Sequence, residues 1–424
     1  MDKRTQEPAG HGFTNPEFTR EMRKTYSILA PDIFPIHMDL IRRIFRSYGY
    51  NIEILRSRGK QIIEKGLEHI HNDMCYPLIC IAGQQLSALA SGEYDPDKSA
   101  LIMFQTGGGC RASNYIWLLR KALRSMGMEQ VPVISLSLNR MERSGGFRVY
   151  PMMLVKTMVA IIYGDLLMLL RNQVRPYEKV KGETERTLKK WSERLTDEFR
   201  KNKGLFGRAF KNNLRAIAGD FDSIPTTDVK KTKVGIVGEI YVKYSPLGNN
   251  GLEELLDSLN CEYMVPGVLG FFQFMFDNRL TDQKLYGGSR AGACVAALGG
   301  LVARRIEKTF TDVLREFPRF TAPAPFERIR ELGSAVIGRE VKMGEGWLLP
   351  AEAAELIENG YNNIICVQPF GCLPNHIVGK GTMRTLKKLY PHANICPIDY
   401  DSGASGVNQE NRIRLMLAMA EEQQ

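Results

Sequence analysis

The spacing of apolar residues changes repeatedly between two periods. From Phe34 the segment IHMDLIRRIFRSYGY places them three and four apart and stops at Gly49, after which NIEIL reads as a short strand. ALIMFQ predicts a second strand, leading through TGGGC into the helical SNYIWLLRKALRSMG, and VPVISLSLN predicts the strand after it. Further along, VGIVGEIYVKYS reads as a strand before the helix GLEELLDSLN. In the tail, NNIICVQPF leads into GCLPNHIVGKGTMRTLKKLYP, and ANICPIDYD passes through SGASG into VNQENRIRLMLAMA. Strands alternating with helices over short connections predict the α/β class with doubly wound parallel sheets.

Pro151 to about Ile217 breaks the alternation with a helix-rich insertion, and Gly219–Lys233 (GDFDSIPTTDVKKTK) reads as a linker. The expected organisation is an N-terminal arm over residues 1–30, a first α/β domain over 31–220 that includes the helical segment 151–217, and a second over 232–424. Met152–Leu170 is long enough for a membrane span. Lys156 and Asp165 inside it are expensive at bilayer depth, so a buried helix is expected.

The chain has 424 residues, 44% hydrophobic and 25% charged, which excludes a disordered protein and supports cores without disulfides. The first residues, MDKRTQEPAGHGFTNPEF, show no apolar export signal, and a cytoplasmic location is expected. The net charge of +10 is concentrated between Lys189 and Lys233. Such a basic helical face meets phosphates or only water. With no zinc finger, RNP motif or KH loop beside it, no nucleic-acid partner is expected, and no membrane partner either.

Eight cysteines remain: Cys75, Cys80, Cys110, Cys261, Cys294, Cys366, Cys372 and Cys396. Without an export signal they are expected to be reduced thiols. Cys261 and Cys294 read as small buried residues, as does Cys80, and Cys366 and Cys396 fall within strands. Cys75, Cys110 and Cys372 differ because each precedes a helix. Unpaired N–H groups at such a position favour the thiolate, the form that binds metal. Loops at the carboxyl ends of parallel strands gather in space, so the three could converge. Gly107, Gly108, Gly109 and Gly371 would let backbone N–H groups approach a sulfur-rich cofactor. Spacing alone leaves metal binding and core packing both open, since no C-x-x-C pair or ferredoxin run is present.

The strings NDMCYP, QTGGGCRASNY, KYSPLGNNGLEELL, QPFGCLPNHIVGKG and IDYDSGASGVNQENRIRLML resemble the 2-hydroxyacyl-CoA dehydratase superfamily. More closely, they resemble the region that follows the activator-type ATPase in large acyl-CoA dehydratase activase-related proteins, and the similarity runs from about Asn72 to Ala418. The resemblance implies two Rossmann-like domains whose strand-to-helix loops hold an iron–sulfur cluster through Cys75, Cys110 and Cys372, with Cys366 as the alternative third ligand. The cofactor implied is a 4Fe–4S cluster, or the sulfide-bridged double cubane of related proteins that reduce small molecules. The activity implied is dehydration of an acyl-CoA, or reduction of a small molecule, after a low-potential electron arrives. The chain contains no Walker A motif and no activator-type phosphate loop, so a separate ATP-dependent activator or reductase is expected as electron donor. A homodimer or a related second subunit is the expected assembly.

Around that centre Arg111 and Asn114 are candidates to face a carbonyl or thioester, or else to cap a helix end. His376 is a candidate proton donor, or a packing residue. Asn249 and Asn250, flanked by Gly248 and Gly251, suit a phosphate or acyl group, with ordinary turn chemistry as the alternative. A cluster-bearing electron-transfer or accessory subunit is the rival function. A metal-free nucleotide-binding module is a third, disfavoured because TGGGCR matches G-x-G-x-x-G poorly.

Overall fold

Eight strands in two sheets carry the architecture of the computed structural model, which describes residues 16–106, 109–137 and 145–422. β1 (Ser27–Pro31), β2 (Ile52–Leu55), β3 (Ser99–Gln105) and β4 (Val133–Ser137) form one sheet in the order β2-β1-β3-β4. β5 (Lys233–Gly238), β6 (Glu262–Met264), β7 (Asn363–Pro369) and β8 (Asn394–Tyr400) form the other in the order β6-β5-β7-β8. Every pairing is parallel. The fold is α/β, with two Rossmann-like parallel sheets flanked by helices.

Strands covered on both faces need continuous apolar runs, and β7 (NIICVQP) is buried at all seven positions. In both sheets the chain reverses direction of winding between the first and third strands. That leaves a crevice at the carboxyl ends of β1 and β3, and another at those of β5 and β7.

The helix Pro151–Val174 is the membrane-like segment, and it is core. Among the described residues it is, continued to Tyr177, the one helix apolar and long enough to cross a bilayer, and 78% of its most apolar window is buried. Lys156 and Asp165, the two charges within its apolar run, meet partners inside the protein. Asp165 accepts hydrogen bonds from the backbone N–H groups of Val268 (2.8 Å) and Leu269 (2.9 Å), and lies 2.9 Å from His37 Nε2. Those N–H groups open the helix Val268–Tyr286, so one carboxylate caps a helix of the second half and binds a histidine of the first. The Lys156 ammonium lies over the Tyr48 ring, 5.3 Å from its centre.

Four features depart from expectation. The strand over VGIVGEIYVKYS ends at Gly238, whose φ of +134° and closeness to Val367 O exclude a side chain; Ile240–Tyr244 is a helical turn capped by Glu239. Ser27–Pro31, all but its last residue in the expected arm, is a central strand. The helix Gly207–Asp222 runs into the expected linker. Cys294 is exposed rather than buried, on the helix Arg290–Leu314, which pairs with Val268–Tyr286 as a hairpin. Residues 1–15 of the arm lie outside the described residues.

Part of the basic stretch is paired: Lys190 with Asp220, Arg194 with Glu198, Arg200 with Asp197, Arg215 with Glu316 and Lys233 with Glu262.

Candidate functional site

The carboxyl ends of the two sheets meet at the cysteines. Cys75 precedes the helix Tyr76–Ala90, which carries Pro77 in its first turn, where a missing N–H is harmless. The connection differs from the expected one: Cys75 follows the helix Lys60–His69, so its loop joins two helices. Cys110 lies in the loop after β3 and precedes the short 3₁₀ turn Arg111–Asn114 and the helix Tyr115–Ser125. Cys372 lies in the loop after β7, ahead of the π-helical turn Asn375–Lys380.

Direct contacts join these loops. The Tyr76 N–H donates to Phe370 O at 3.0 Å, linking the Cys75 helix to the loop after β7. Gly371 (φ +74°) packs so closely that a β-carbon there would stand 3.0 Å from Cys75 Cα and 3.1 Å from an Arg111 guanidinium nitrogen. Arg111 also donates to Asp73 O at 2.6 Å, which ties the Cys110 loop to the Cys75 loop. Gly109 sits under Met343, whose Sδ a β-carbon would meet at 3.0 Å. Gly107 and Gly108 lie outside the described residues.

Each thiol has a polar neighbour. Cys75 Sγ and the Tyr115 hydroxyl share a hydrogen bond. Asn375, fully buried, donates from Nδ2 to Cys372 Sγ (3.3 Å) and approaches Glu345 Oε2 (3.4 Å), while its Oδ1 has no partner. Glu345 also accepts from the Ile240 N–H at 3.0 Å. It projects from Gly344-Glu345-Gly346, both glycines at positive φ, with Gly344 against Pro374 of the Cys372 loop.

The thiols and carboxylates among these groups are all potential anions, and that sets their protonation. Burial pushes the Cys75 thiol up to about 12, with Glu239 and Cys110 adding to it. Burial also raises Cys110 and Cys372, and Glu345 and Glu239 push both in the same direction. Burial followed by Glu345 brings Glu239 up to about 8, and burial raises Glu345. The helix N-termini were expected to favour thiolates. Burial and crowding by like charges outweigh that dipole here. The nearby Lys243 is committed to Glu352 (2.9 Å), both side chains buried.

Cys366 is placed differently: it is buried on β7, pairs across to Val237 and Pro397, and accepts a hydrogen bond from Gln368 Nε2 at 3.5 Å. His376 donates its backbone N–H to Cys372 O and is half-buried, and Asn114 is exposed at the end of the Cys110 turn. Asn249 and Asn250 are engaged elsewhere. Asn249 bonds Val242 O and the Leu252 N–H, and Asn250 bonds Gln409. Among the described residues no three His, Cys, Asp or Glu side chains stand close enough together to hold a single metal ion.

Sequence reasoning missed Glu239, Glu345, Tyr115 and Asn375. Glu239 was hidden by the strand expected through it, whereas Gly-Glu-Gly at 344–346 was a legible sign of a carboxylate on a tight loop. No protein-family model matches the chain, and no curated protein matches it.

Proposed function

We propose that this protein is an iron–sulfur protein of the 2-hydroxyacyl-CoA dehydratase type, with Cys75, Cys110 and Cys372 as the thiolate ligands of a 4Fe–4S cluster or of a sulfide-bridged double cubane. What carries the proposal is the packing of Gly371 onto Cys75 and Arg111, which brings loops of both sheets together at three cysteines. The donor set fits: three thiols and two carboxylates share a neighbourhood in which burial disfavours their charged forms, and a metal core would supply the positive charge that stabilises the thiolates. A cluster is broader than one ion, so its ligands need not stand at single-ion spacing in its absence.

When bound, the cluster supplies a low-potential electron and an iron without a cysteine ligand, which acts as Lewis acid. The protein's own groups supply binding and protons. Arg111, exposed apart from its bond to Asp73 O, offers further donors to a thioester or carbonyl oxygen. Glu239, pushed up to about 8, keeps its carboxyl proton at neutral pH and is suited to hand it on. The Tyr115 hydroxyl and Asn375 Nδ2 hydrogen-bond to sulfur. A separate ATP-dependent activator provides the electron, the substrate is an acyl-CoA or another small molecule, and the location is cytoplasmic.

The test is purification without oxygen, with iron, sulfide and electron paramagnetic resonance measured before and after reduction. About four irons per chain, lost in Cys75→Ala, Cys110→Ala and Cys372→Ala, supports the assignment. Full iron in those variants refutes the ligand set. Fast reduction by an activator without turnover of any 2-hydroxyacyl-CoA assigns the chain an electron-carrying role.

A further inference from the structure

Behind Cys372 two amide side chains, Asn375 and Gln368, lie fully buried among acceptors. The Asn375 amide nitrogen donates to Cys372 Sγ at 3.3 Å and lies 3.4 Å from Glu345 Oε2. The Gln368 amide nitrogen donates to Cys366 Sγ and to the Asn375 carbonyl oxygen, each at 3.5 Å. In both side chains the nitrogen is used, while the amide oxygen has no partner among the described residues. An idle acceptor in the interior is costly. This orientation therefore reflects what surrounds it: sulfur, carboxylate and carbonyl all call for donors. Buried donors aimed at sulfur stabilise negative charge there.

The backbone is shaped for the contact. Asn375 opens the π-helical turn Asn375–Lys380, and such wide turns are rare and frequent at functional sites. Gly379 in that turn faces the Gln368 amide. A β-carbon at Gly379 would stand 2.9 Å from Gln368 Nε2, 3.5 Å from Cys366 Sγ and 3.9 Å from Asn375 Oδ1. The glycine leaves the space in which Gln368 reaches Asn375.

We infer that Gln368 is a positioning residue: it holds Asn375 with its amide N–H on the Cys372 sulfur, and the pair eases entry of an electron into the group bound there. The inference rests on the proposed cluster. Sulfur carries more negative charge after reduction, so a hydrogen bond to it favours the reduced state and raises the potential. The electron comes from the separate reductant, and no bond forms or breaks. Cys366 anchors the Gln368 amide from its other side.

Anaerobic redox titration of the reconstituted full-length chain, followed by electron paramagnetic resonance, reads this directly. Asn375→Leu keeps the volume and loses the N–H. It is expected to hold wild-type iron and to be harder to reduce by roughly tenfold, about 59 mV for one electron. Gln368→Met is expected to lower the potential by less. The double variant is expected to match Asn375→Leu alone, because Gln368 acts through Asn375. Should Gln368→Met fail to fold, Gly379→Ala displaces the same amide and is expected to lower the potential in its place. An unchanged potential in Asn375→Leu, or a Gln368→Met shift of equal size with and without Asn375, overturns the inference and leaves the cluster assignment standing. A wild-type chain that binds no iron after reconstitution overturns both.

Discussion

Gly371 lies against Cys75 so closely that the α-carbon of one and the missing β-carbon of the other would be 3.0 Å apart. This contact, with φ of +74° at Gly371, makes the position sensitive twice over. Gly371→Ala is expected to destabilise the chain by about 1–3 kcal/mol in urea unfolding and to separate the Cys372 loop from Cys75. Under the proposed function the variant loses most of its iron. A Gly371→Ala chain with wild-type iron and stability would show that the loops do not depend on the contact.

Asp165 makes three hydrogen bonds, two of them to the second half of the molecule and one to His37 within the first, and Asp165→Ala leaves two helix N–H groups and His37 without them. The expected loss is about 3 kcal/mol in a single cooperative transition, read as a lower urea midpoint at unchanged slope. Asp165→Asn, which keeps one acceptor, is expected to lose less.

Burial pushes Glu355 up to about 7, although it accepts hydrogen bonds from the Ala324 N–H and Asn359 Nδ2. The folded state therefore holds this proton more tightly than the unfolded chain. The resulting stabilisation is complete below about pH 4 and is lost as pH rises through 7. Glu355→Gln is expected to flatten that part of the stability profile, with a gain of about 3 kcal/mol over wild type at pH 8 relative to pH 4. Equal slopes in the two proteins between pH 4 and 8 would show that the carboxyl does not titrate there.

Once ionised, Glu239 opposes formation of each of the three thiolates. Removing that charge lowers the thiol values, so Glu239→Gln is expected to speed alkylation of Cys110 in metal-free protein above pH 8. The rise should be roughly threefold, the effect of about half a pKa unit. Alkylation followed by mass spectrometry of the Cys110 peptide reads this without any cluster present.

The strands were legible where a long apolar run stood beside a clear helical period, as in β3 and β7, whereas β1, short but buried at four of its five positions, fell largely within the expected arm. Where a capping side chain replaced a strand position, as at Glu239, period alone misled. The thiols were visible because glycine, cysteine and a helix start stand together in sequence. Their carboxylate neighbours were not, since Glu345 reaches them from a loop 30 residues before Asn375 and only tertiary packing joins the two. Asn249 and Asn250 mark the opposite limit. A polar glycine-flanked loop looks the same in sequence whether it holds a ligand or its own backbone, and here Asn249 binds backbone on both sides. Cys294 was misplaced because an exposed apolar helix face has the same composition as a core.

The helix Pro151–Val174 also has a history during synthesis. Asp165 leaves the ribosome 104 residues before Leu269, one of the residues that satisfies it. At about 5–20 residues per second, on the order of ten seconds separate the two. Throughout that interval a long apolar helix is complete while its second-half partners are unmade, and the cell's machinery for membrane insertion and for chaperoning meets the same surface. The carboxylate that later locks the halves together is, in that interval, the charge that marks the helix as one to be kept in water.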